Sequence, residues 1–88
     1  MKIELKTGAV HEVDEVFPVD PESRWMTWIG VEALVAIYGA DAVSGGSGAR
    51  IPVVTVGGVE YSSDDAFVDT DGYVVWPVID LPLLQKVI

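Results

Sequence analysis

The chain has 88 residues, half of them apolar, with five Lys and Arg against fourteen Asp and Glu and a formal charge of −9. That charge argues against direct binding of bare nucleic acid or of an anionic membrane surface, since both need clustered positive charge. With no Cys and one His, disulfide scaffolds, thiolate metal sites, cysteine nucleophiles and multi-histidine metal centres are excluded.

The length allows a single domain, 1–88. Residues 2–7 alternate, with Ile3 and Leu5 toward a core and Lys2, Glu4 and Lys6 toward water, which predicts a half-buried strand. Thr7-Gly8 offers a turn into a second, Val-rich strand over 9–19. That strand needs an irregularity near Asp14-Glu15 to bring Val13 and Val16 to one face. Asp20-Pro21-Glu22 carries a cap, a first-turn proline and an acid for the positive end of a helix dipole. A short helical turn is therefore expected at 21–26. Trp25, Trp28, Ile29, Ala33, Ala36 and Ile37 share a helical face that Gly30 interrupts, so the better helix is expected at 31–38, stopped by Gly39.

Ser44–Gly48 reads as a flexible connector. IPVVTV at 51–56 reads as a buried strand, Gly57-Gly58 as a tight turn and VEY at 59–61 as the partner strand. A polar loop follows at 62–66. Phe67-Val68 and Tyr73–Trp76 flank Asp69-Thr70-Asp71-Gly72, a hairpin signal. Pro77 and Pro82 make the last strand an edge or end it early. The apolar tail LPLLQKVI docks on the core or on another subunit. Together these elements predict an α+β, β-rich fold: a small antiparallel sheet or partly open barrel of about five or six strands with one short helix.

The chemical motifs are weak. Gly72 placed at the sixth position of a calcium loop leaves Phe67 and Val78 where the first and last ligands belong, so Asp64–Gly72 is no EF-hand. The Gly-Ser loop before Arg50 matches neither the phosphate loop nor the dinucleotide fingerprint. His11, beside Glu12, Asp14 and Glu15, has no serine in a nucleophile context near it and reads as a surface histidine. Paired carboxylates suffice for glycoside chemistry, but a chain this short has little room for a walled cleft beside a core. The expectation is a protein that is not an enzyme and uses no cofactor or metal.

The acids are distributed unevenly. Glu12, Asp14, Glu15, Asp20 and Glu22 fall in one run without Lys or Arg; Glu60, Asp64, Asp65, Asp69, Asp71 and Asp80 fall in another. On a strand, acids at i and i+2 stand about 6.7 Å apart on one face, as Glu12/Asp14 and Asp69/Asp71 would. Such rows imitate a run of phosphates toward a basic groove. Generic solubility, including adaptation to salt, explains the same acids without a partner. Trp25 and Trp28, in the segment Arg24–Trp28, are of the type enriched at interface hot spots, and equally anchor small cores.

The expected function is therefore binding of a basic protein partner. The contact would use Glu12, Asp14, Glu15, Asp20, Glu22, Trp25, Trp28, Asp64, Asp65, Asp69 and Asp71. The sharpest version is an inhibitor that blocks the basic surface of a nucleic-acid-handling complex, as small acidic phage-encoded inhibitors, including anti-CRISPR proteins, do. That comparison is one of size and charge only, carried by no motif. The alternatives are a self-assembling subunit or homo-oligomer held by the tail, and a small-ligand or carbohydrate module using Trp25, Trp28 or Trp76. MKIELKTG lacks the apolar stretch of a leader, and the charge-free runs are broken by Glu32 and by Pro52, Gly57 and Gly58. A cytoplasmic protein without membrane contact is expected.

Overall fold

The computed structural model describes residues 1–16, 27–46, 50–69 and 71–88. They form the β-rich α+β fold expected, with one α-helix and three small antiparallel sheets. The described strands number nine and are short, so the sheets are three where one was anticipated.

The first sheet has the order β2-β1-β9. Alternation places Ile3 and Leu5 of β1 (Lys2–Leu5) in the core and leaves Lys2 in water. A turn at Thr7-Gly8 leads to β2 (Val10–Glu12), in register with Ile3 opposite His11. The strand expected over 9–19 stops at Glu12; Met1 and Val13 still exchange hydrogen bonds of 2.9 Å in both directions. Residues 17–19 lie outside the described residues, as do Asp20-Pro21-Glu22 and the turn expected at 21–26. The tail forms β9 (Leu84–Val87) on the other side of β1. Leu81 and Pro82 are buried, so the tail docks on its own chain. A register shift between Glu4 and Leu5 accompanies Leu83, whose φ of 61° is unusual for a branched side chain.

The second sheet, β3-β8-β7, is made from β3 (Trp28–Gly30), β8 (Val74–Pro77) and β7 (Phe67–Val68). Trp28 and Ile29 are therefore strand residues, and the helical face drawn through them does not exist. The pleat explains why: Ile29 pairs with Trp76 and both enter the core, while Trp28, opposite Pro77, takes the other face. Trp76 is wholly buried, and its indole N–H has no partner among the described residues. Pro77 ends a central strand, not an edge. It closes β8 where the chain turns into a 3-10 segment, Val78–Asp80, whose first N–H donates to Thr27.

Helix α1 (Val31–Tyr38) has the expected bounds. Leu34 and Ile37, three residues apart, bury its inner face. Gly39 ends it at φ 94° and ψ 151°, a region nearly closed to residues with a Cβ. The Tyr38 hydroxyl then donates to the Pro82 carbonyl at 2.7 Å, joining the helix to the tail.

The third sheet, β4-β5-β6, contains β4 (Val43–Ser44), β5 (Val53–Val56) and β6 (Val59–Tyr61). Ser44, expected in the connector, pairs with Val53. β5 is half-buried: Val54 is wholly enclosed while Thr55 is exposed. The β6–β7 loop is fastened by Ser63, whose buried hydroxyl donates to Asp80 at 2.5 Å and accepts from the Asp65 N–H.

Burial pushes the Tyr38 hydroxyl well above its ordinary pKa of 10.0, and ionisation would also remove the proton it donates to Pro82. A folded-state value above the unfolded one means that the folded chain keeps its proton longer. This stability is full below pH 10 and is lost as pH rises beyond it. Tyr38→Phe should cost about 0.5–1.5 kcal/mol near neutrality. In urea melts, the gap between Tyr38→Phe and the parent chain should narrow between pH 8 and pH 11.

Candidate functional site

A groove of about 630 Å³ opens where the first sheet, α1 and the β7–β8 hairpin meet. One wall is Glu12–Val16, the chain leaving β2. The Met1–Val13 pairing holds its start, and the Val16 N–H, donating to the Trp28 carbonyl at 2.9 Å, holds its end. Strand alternation persists through this wall: Glu12 and Asp14 are exposed and Val13 is buried.

The second wall is α1 from Val31 to Ala36. Glu32 and Ala36, one helical turn apart, are both exposed and both line the groove. Their face lies away from Leu34 and Ile37. Gly46 completes this side. A Cβ there would stand 3.0 Å from both Val31 methyl carbons, and its φ is 81°. Only glycine admits so close an approach in that conformation. The third wall is Gly72, Tyr73 and Val74.

The groove is thus amphipathic. Val13, Val16, Val31 and Val74 supply apolar lining, and Glu12, Asp14, Glu15 and Glu32 supply four carboxylates; no Lys, Arg or His is among the described lining residues. The carboxylates are spread along the walls. Among the described residues, no three His, Asp or Glu side chains gather closely enough to hold a metal ion. Glu12 also stands opposite Lys2 in the β1–β2 register, so its nearest cross-strand neighbour carries the opposite charge.

Of the residues singled out from sequence, the structure brings Glu12, Asp14 and Glu15 to this groove. Asp64 and Asp65 are exposed in the β6–β7 loop and do not line it. Asp69 serves the hairpin: its Oδ1 accepts from the Asp71 N–H at 3.0 Å and the Tyr73 N–H at 2.7 Å. Asp71 is exposed one residue before the groove wall. Trp28 is half-buried, edge-to-face on Phe67 with ring centroids 4.9 Å apart. Trp76, enclosed in the core, offers no platform for a sugar ring. Asp20, Glu22 and Trp25 lie outside the described residues.

Glu32 and Tyr73 were not singled out. Helical spacing alone puts Glu32 and Ala36 on one outward face of α1. Nothing local places that face beside Glu12–Val16.

Set against known proteins, the chain matches no family model, no curated protein and no solved structure. No helix among the described residues is long and apolar enough to cross a membrane.

Gly46→Ala tests the packing of this wall. The strained backbone and the Val31 contact together should lower stability by about 1–3 kcal/mol, read as a lower urea midpoint.

Proposed function

We propose that this chain is a small acidic, non-enzymatic binding module that docks on a basic surface of a protein partner and blocks it to nucleic acid. The supporting observation is the groove itself: four carboxylates from two separate chain segments around an apolar lining, with no basic residue among its described lining residues. Carboxylates spread along a concave wall suit a partner presenting several cations better than they suit one ion. A formal charge of −9 steers such a partner toward the chain, and the apolar lining supplies short-range contact.

The tail is held on its own chain through Leu81 and Pro82, which are buried, and through Leu84, which pairs with Leu5, while Val87 and Ile88 stay exposed. Asp69 is unsuitable as a probe of the electrostatics, because its carboxylate holds the hairpin turn.

The test pairs two double reversals, Glu12→Lys/Asp14→Lys in the groove and Asp64→Lys/Asp65→Lys in the β6–β7 loop. Both shift the charge of the whole chain equally. A partner captured from source-cell lysate should elute as salt rises, and the parent chain should displace nucleic acid from it. The groove reversal should weaken that complex roughly 10- to 100-fold, and the loop reversal far less. Equal affinity of the groove reversal and the parent would refute the proposal.

A further inference from the structure

We infer that the groove is a seat for an arginine-bearing, apolar-flanked segment of the partner, with the guanidinium stacked on Tyr73 and paired to the surrounding carboxylates. This rests on the proposed function and names the chemistry that the groove would take.

Tyr73 carries the inference. It is 62% exposed, the most exposed of the large apolar and aromatic side chains among the described residues, and it lines the groove instead of the core. Its backbone is held on both sides. The N–H donates to Asp69 Oδ1 at 2.7 Å, and the carbonyl accepts from the Asp69 N–H at 2.8 Å. An aromatic ring on a backbone fixed in this way is a contact already partly ordered before a partner arrives.

The neighbours decide what such a ring would meet. A neutral aromatic ligand would gain nothing from four carboxylates, and an anion would be repelled by them. A cation gains from both. Among cationic side chains, arginine has the planar, weakly hydrated head that stacks on an aromatic face while its N–H groups pair with carboxylates. Val16 and Val31, both half-buried at the groove, offer apolar surface to its methylene stem and to apolar residues beside it. The volume, about 630 Å³, lies within the range of about 300–1,000 Å³ that holds several side chains or a small ligand.

Four blocked peptides test this on the full chain by fluorescence anisotropy. One alternates arginine and leucine. A second alternates lysine and leucine, a third is oligo-arginine of equal charge, and a fourth alternates citrulline and leucine. The arginine–leucine peptide should bind roughly tenfold more tightly than oligo-arginine or the lysine–leucine peptide, and the citrulline peptide should not bind. Tyr73→Ala should remove the advantage over the lysine–leucine peptide and should weaken oligo-arginine as well, since both arginine peptides present a guanidinium to the ring, and Tyr73→Phe should keep it. Ala36→Phe, at an exposed helical position that lines the groove, should block the arginine–leucine peptide by filling its seat, and remains informative if Tyr73→Ala fails to fold.

Equal binding of the arginine–leucine and oligo-arginine peptides, indifferent to Tyr73→Ala and Ala36→Phe, would overturn the seat while leaving the salt-dependent acidic reading intact. Equal binding of the lysine and arginine peptides would overturn guanidinium stacking. Failure of every cationic peptide to bind the folded chain at low salt would overturn the seat and the acidic reading together.

Discussion

The fold depends on burying one four-residue strand on both of its faces. Val74, Val75, Trp76 and Pro77 are all buried, and no other described strand is enclosed throughout. Trp76 fills the core beside Ile29 and Leu34, while Val75 points to the other side, opposite Gly30 and Phe67. A two- to four-residue strand has almost no stability alone, and a domain of this size has little surface to spare for burial. The remaining elements are arranged to enclose this strand: β3 and β7 pair with its two edges, and α1 and the first sheet contribute to the core that receives Trp76.

Enclosing β8 in this way also creates the groove. The chain leaves the first sheet through Glu12–Val16, held at one end by Met1 and at the other by Trp28. Helix α1 begins immediately after β3 and turns Leu34 and Ile37 inward. Its outer face is left beside that passage, and the β7–β8 turn closes the third side. The apolar lining is partly the edge of the core itself, at Val13 and Val74, and the carboxylates are the outward positions of neighbouring residues. The acidic concavity thus follows from connectivity as much as from composition.

The tail and the loops show how a small chain secures its periphery with few interactions. Tyr38 reaches the Pro82 carbonyl, and Ser63 links the β6–β7 loop to Asp80. Each joins segments distant in sequence through one hydroxyl. The cross-strand neighbours Lys2 and Glu12, and Glu4 and Lys86, offset part of the repulsion among the acids within the first sheet. Most of the chain's negative charge is left to act outward.

Period-two alternation was enough to place Ile3 and Leu5 in a core, and helical spacing with a terminal glycine was enough for Val31–Tyr38. Gly57-Gly58 and Asp69–Gly72 announced their hairpins, because turn chemistry acts over four residues and is carried by the residues themselves. Trp28 reads as helical because it follows Trp25 by three residues, a helical spacing; pairing with Pro77, some fifty residues away, makes it a strand residue. The acidic runs were visible along the chain, but the meeting of Glu12, Asp14 and Glu15 with Glu32 and Tyr73 was not. Local preference sets which way a side chain points from its own element. Which elements come to lie side by side is decided by burial of the whole core, a cooperative property that no short window of residues contains.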